Sequence, residues 1–214
     1  MWATSCLHLG DTSSWEKLEL FKSEVKSLPD EAKILLLGDI ADPTSEGMKQ
    51  AEALHQFLDG RWEYNFVPGN NDWWMPRVRE IPKMWFNKPW SKRKLAPWLH
   101  TFEGGNYKNL PWSHHHDMIS REEEHQWAAL VALDCPPKAT VLASHFPFLA
   151  YDQSRGLSYA QEHWNVALQQ TNIKTLVFGH LHEEYLKQIS DEFGGRKVQV
   201  VSDHRERLLH EVIQ

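Results

Sequence analysis

An α/β fold follows from the way this chain alternates its patterns. Short apolar runs recur, amphipathic stretches separate them, and a polar block rich in glycine, histidine or aspartate closes each run. Strand, helix, strand, helix, strand in succession predicts a parallel sheet with helices on its faces. Polar blocks at the ends of the runs then fall at the C-terminal ends of strands, where open α/β sheets place their sites.

Taken in order, residues 2–5 and 33–38 (Lys33-Ile34-Leu35-Leu36-Leu37-Gly38) read as buried strands. Between them Trp15, Leu18, Phe21, Val25 and Leu28 recur every three or four residues, which predicts a helix with one apolar face, ended by Pro29-Asp30. A second helix is expected from about Thr44 to Leu58, stopped by Asp59-Gly60, and Tyr64 to Val67 makes the next strand. Val141-Leu142-Ala143 reads as a strand, Tyr159 to Leu168 as a helix, and Lys174 to Phe178 as a further strand. The tail, Lys197 to Val201 and then Leu208 to Ile213, alternates in the manner of antiparallel strands closing a second sheet. The length of 214 residues fits one domain, 1–214, with no linker or repeat.

The stretch 73–112 differs in kind. It holds Trp73, Trp74, Trp85, Trp90, Trp98 and Trp112, with Pro76, Pro82, Pro89, Pro97 and Pro111. Prolines so dense exclude one long helix, so short turns and loops are expected, inserted as a cap. From Arg77 to Lys94 seven basic residues (Arg77, Arg79, Lys83, Lys88, Lys92, Arg93, Lys94) face one acidic residue, Glu80. Three readings stay open here: a small cap with a tryptophan core, a lid using Arg or Lys for phosphate and Trp for stacking, or a groove for single-stranded nucleic acid. Trp73, Trp74 and Arg77 lie nearest in sequence to the third polar block and are the candidates for substrate contact. His114-His115-His116 looks like a metal cluster, but neighbours on a strand point to opposite faces and cannot all bind one ion without a bend, so a sheet-edge or loop role is expected. Glu122-Glu123-Glu124 reads as the solvated start of a helix carrying Trp127, Leu130 and Leu133.

Bulk composition narrows the partners. Twenty-three basic against 29 acidic residues leave a net charge of −6, so no overall attraction to nucleic acid or an anionic membrane is implied. No run of about 18 apolar residues is present to span a bilayer. Met1 stands almost on the first strand, which leaves no room for a cleaved signal, and two cysteines are too few for a disulfide framework. A reduced, cytoplasmic setting is expected.

The chemistry sits in the five polar blocks: Cys6-Leu7-His8-Leu9-Gly10, Gly38-Asp39-Ile40-Ala41-Asp42, Gly69-Asn70-Asn71-Asp72, Ser144-His145-Phe146-Pro147 and Gly179-His180-Leu181-His182. One histidine after an apolar strand is most simply a core residue with its hydrogen bonds satisfied. Five such blocks in this order are not explained that way. His180 and His182 differ by two, so an extended segment would turn both to one side.

In that order the blocks resemble the calcineurin-like metallophosphoesterases, over residues 1 to about 183. The resemblance implies two stacked mixed β-sheets flanked by helices, and a site for two divalent metal ions (Mn, Zn or Fe). One ion would be held by Cys6, His8, Asp39 and His182. The other would be held by Asp39, Asn70, His145 and His180, with Asp39 bridging. A carboxylate can bridge ions, imidazole fills borderline positions, and an amide oxygen adds a ligand without charge. Asp42 and Asp72 are expected to hold loops or ligating imidazoles.

The reaction implied is hydrolysis of a phosphodiester, pyrophosphate or phosphomonoester bond by a metal-bridging hydroxide, with Asn71, Asp39 and His145 at the reacting centre and Asn71, Trp73, Trp74 and Arg77 on the substrate. Two positions depart from the family. Cys6 stands where the family has aspartate, and Asn71 stands where many members have histidine. Thiolate binds zinc and suits manganese or magnesium poorly. Asparagine cannot donate a proton to a leaving group at neutral pH, which leans the substrate toward a phosphodiester or pyrophosphate, a nucleotide or nucleic acid among them. The alternative is a degenerate member, catalytically weak or inactive, serving as a protein- or nucleic-acid-binding scaffold.

Overall fold

Residues 1–69, 72, 95–102, 134–145, 166–181 and 192–214 are described by the computed structural model. In chain order its elements are β1 (Trp2–Thr4), α1 (Ser14–Lys26), β2 (Lys33–Leu37), α2 (Ser45–Leu58), β3 (Glu63–Val67), β4 (Leu99–Phe102), β5 (Val141–Ser144), β6 (Thr175–Phe178), β7 (Glu192–Phe193), β8 (Arg196–Val200) and β9 (His210–Glu211). They form two mixed sheets, ordered β3-β2-β1-β9 and β4-β5-β6-β8-β7.

The pleat of β2 explains the layering. Ile34 and Leu36 point to one face, where they meet Leu18, Phe21 and Val25 of α1 and Ala51, Leu54 and Leu58 of α2. Leu35 and Leu37 point to the other, where with Ala3 and Val67 they meet Leu99, Val141, Ala143 and Val177 of the second sheet. A strand buried on both faces needs an unbroken apolar run rather than alternation, and Ile34-Leu35-Leu36-Leu37 is such a run. The helices between parallel strands keep one apolar stripe each, and Thr44 caps α2 by accepting from the Gly47 N–H at 2.9 Å.

Most strands of each sheet run in parallel: β1, β2 and β3 in the first, and β4, β5, β6 and β8 in the second. All these strands therefore end at a common edge within each sheet. A backbone bond ties the two edges together, with Ser5 N–H donating to Val201 O at 3.2 Å.

Two expectations are corrected here. The tail does not supply two antiparallel strands to the second sheet. β8 runs parallel to β6, so its C-terminal end also reaches the site edge, while β9 pairs antiparallel with β1 in the first sheet. Alternation reports which face a strand buries and says nothing of its direction. The segment 73–112 is not wholly loops and turns either. It contains β4, and Leu95, Ala96 and Leu99 lie in the inter-sheet core. Proline density obscured a four-residue strand. Residues 73–94, the histidine run at 114–116, the helix expected from Glu122 and most of that expected over 159–168 lie outside the described residues.

Candidate active site

The loops that follow β1 and β2 stay zipped together as they leave the sheet. Cys6 N–H donates to Gly38 O at 2.9 Å, His8 N–H to Asp39 O at 3.1 Å, and Leu9 N–H to Ile40 O at 3.1 Å. Keeping these bonds while turning the side chains inward requires unusual backbone. Among the described residues four non-glycines have positive φ: Cys6 (56°), His8 (47°), Asp39 (51°) and His180 (65°). A left-handed conformation costs an L-residue roughly 1–2 kcal/mol, so four such residues together mark a place where position outweighs comfort. All four are candidate ligands.

Glycine makes the closeness possible at two points. A Cβ on Gly69 would meet Asp39 Oδ1 and His145 Cε1, and one on Gly179 would meet the Ser5 hydroxyl. Neither collision could be relieved without moving a site residue.

Side-chain atoms then converge. Cys6 Sγ, an Asp39 carboxylate oxygen and a His145 ring nitrogen all lie within 4.8 Å of one another, and all three residues are buried. His145 Nε2 is 3.4 Å from Asp39 Oδ2 and 3.2 Å from His180 Nδ1. The other nitrogen of His145, Nδ1, donates to Leu37 O at 2.7 Å. That bond fixes the tautomer and turns the Nε2 lone pair toward the carboxylate. Nε2 and Asp39 Oδ2 therefore need a cation or a second proton between them. With sulfur, oxygen and imidazole donors gathered in one buried place, the residues fit a divalent metal ion.

The electrostatics agree. Burial raises the Asp39 pKa, but the imidazoles of His145, His8 and His180 outweigh it and hold the carboxyl well below its usual range. Burial likewise opposes a charge on His145, yet Asp39 and the Leu37 carbonyl leave its pKa raised. Burial, then the Asp39 charge, push the Cys6 thiol far up. Asp72 is pushed up too, by burial first and Asp39 second.

Supporting residues behave as their chemistry suggested. Asp42 Oδ1 lies 2.8 Å from His8 Nδ1, and one Asp72 oxygen accepts from both Asp39 N–H and Gly69 N–H at 2.7 Å. His180 does not behave as expected. Its φ of 65° is not extended, so the period-two argument pairing it with His182 does not apply. His182, Asn70, Asn71, Trp73, Trp74 and Arg77 lie outside the described residues.

Two contributors were missed from sequence. Ser5 links four groups: its hydroxyl donates to Leu37 O and lies 3.2 Å from Gly38 O, 3.3 Å from Cys6 Sγ and 3.3 Å from His145 Nδ1. Its position beside Cys6 was the available signal. Lys17 on α1 is half-buried, and burial lowers its pKa against a smaller opposing influence from the site side. It sits one turn on from the buried Ser14, beside the apolar stripe Leu18-Phe21-Val25, and a helix boundary lysine carries no motif.

Compared with known protein families, residues 1–184 match the calcineurin-like phosphoesterases. The chain belongs to that family. No individual curated protein matches it. Membership in the calcineurin-like phosphoesterases places the chain among metal-dependent hydrolases of phosphoesters, whose members bind divalent metals, and the two-sheet sandwich is consistent with that fold. Among the described residues no helix is long and apolar enough to cross a membrane.

Proposed function

We propose that the chain hydrolyses phosphodiester or pyrophosphate bonds at a site holding two divalent ions. Cys6, His8, Asp39 and His182 would hold one ion. Asp39, Asn70, His145 and His180 would hold the other. The observation that carries this reading is the convergence of Cys6, Asp39 and His145 donor atoms within 4.8 Å at the ends of β1 and β2 in one sheet and β5 in the other. Divalent ions supply Lewis acidity there, drawing charge from phosphoryl oxygens and making water acidic enough to attack near neutral pH.

The protein's own groups do the positioning. Asp39, shared between the two ligand sets, offsets the concentrated positive charge. His145 is held by Leu37 O and His8 by Asp42, so neither imidazole must be ordered when substrate arrives. Asn71 would hydrogen-bond a phosphoryl oxygen without donating a proton, which favours substrates whose leaving group needs none. Trp73, Trp74 and Arg77 would contact the remainder of the substrate. Free Cys6 and Cys135 suit a reducing, cytoplasmic setting.

A second reading, a binding scaffold without catalysis, is favoured by the departures at Cys6 and Asn71. The separating experiment is metal analysis of protein purified without chelator, with turnover of bis-p-nitrophenyl phosphate and p-nitrophenyl phosphate recorded alongside. Two ions per chain with faster diester turnover is the expected result. Much faster monoester turnover removes the diester preference, and metal without turnover of either ester leaves the scaffold.

A further inference from the structure

From the donor set around Cys6 we infer that its ion is thiophilic, zinc in preference to manganese or magnesium, and is bound through the Cys6 thiolate. The inference rests on the metal-site reading above and sharpens it to the class of ion. Three observations support it. Cys6 is buried to 2% exposure, and its sulfur lies within 4.8 Å of an oxygen of Asp39, the carboxylate shared by both ligand sets, and of a nitrogen of His145, assigned to the neighbouring ion, while His8 supplies the imidazole of the Cys6 set. Sulfur, carboxylate oxygen and imidazole nitrogen are the three donor types zinc accepts together, whereas manganese and magnesium prefer oxygen.

Cys6 also reaches the cluster through a backbone φ of 56°, a strain that an inert, space-filling cysteine at the end of a strand would not need. Finally, the sulfur is met by a hydrogen-bond donor. His180 N–H points at Sγ from 3.2 Å, and the Ser5 hydroxyl lies at 3.3 Å. Ligating sulfurs are characteristically supported by such donors. The backbone bond from His180 further ties the sulfur to the loop that carries the His180 imidazole, so one loop serves both donors. When the ion binds, the thiol gives up its proton to solvent and a metal–sulfur bond forms; no oxidation is involved.

The test uses the full chain stripped by chelator and dialysed. Titration of the wild type with Co(II) should produce a thiolate-to-cobalt charge-transfer band in the near ultraviolet, absent from Cys6→Ser. Dialysis against equal concentrations of Zn(II) and Mn(II), followed by elemental analysis, should leave zinc in large excess. Cys6→Asp should lower that zinc-to-manganese ratio by an order of magnitude or more. Cobalt bound without a charge-transfer band, or a ratio unchanged by Cys6→Asp, overturns the inference while leaving the metal site intact. No metal bound by wild type or by Cys6→Asp sinks the metal site itself. The wild-type cobalt spectrum decides the matter even if a variant fails to fold.

Discussion

His8 and His145, both assigned above as metal ligands, come from opposite sheets and are held in opposite ways. His8 follows β1, is partly open at the rim, and has its Nδ1 against the Asp42 carboxylate at 2.8 Å. His145 follows β5, is fully buried, and donates its Nδ1–H to the main-chain oxygen of Leu37 at 2.7 Å. A carboxylate partner raises ligand basicity and can be removed by one substitution. A carbonyl partner is neutral, suits a group in a dry place, and cannot be mutated away. The rim of the site is thus tunable and its floor is built into the β2 backbone.

The sharpest way to break this comparison is Asp39→Asn. The loss removes the carboxylate assigned to both ions and the counter-charge facing His145. Diester turnover should fall on the order of 10³-fold or more, by analogy with the loss of a main electrostatic group, and metal content should fall with it. Retention of both would remove Asp39 from the centre of the site. Asp42→Asn should act on one side only. Loss of an orienting carboxylate typically weakens metal binding by roughly 10–100-fold, so competition with a chromogenic chelator should show one ion weakened and the other retained. Equal weakening of both ions would mean that the two histidines are not independently held.

Much of this arrangement was legible in the sequence, and the limits were physical. Ile34-Leu35-Leu36-Leu37 announced a strand buried on both faces because burial on both faces demands it, and Leu18-Phe21-Val25 announced the helix face packed on it. Polar blocks after apolar runs announced strand ends. The left-handed backbone at Cys6, His8, Asp39 and His180 was not legible, because non-glycine residues there violate local preference and only tertiary contacts hold them. Ser5 was missed for a related reason: it acts through distant partners, Leu37 and His145. The direction of β8 was hidden too, since pairing direction depends on the connection outside the strand.

The mildest test concerns the floor rather than the rim. Asp72 is wholly buried, and one of its oxygens holds the Asp39 and Gly69 N–H groups together. Burial and the neighbouring Asp39 charge raise its pKa from 3.8 to about 7. In chelator-treated protein the folded state therefore keeps a proton on Asp72 that the unfolded chain releases, and the contribution of Asp72 to stability should fall as pH rises from about 4 to about 7. Asp72→Asn retains an acceptor for both N–H groups and removes that titration. Its melting temperature relative to wild type should rise steadily across this window and level off on either side. A difference that does not change with pH would show that Asp72 is already charged when folded, so that donors on the loops, rather than a proton, carry its burial.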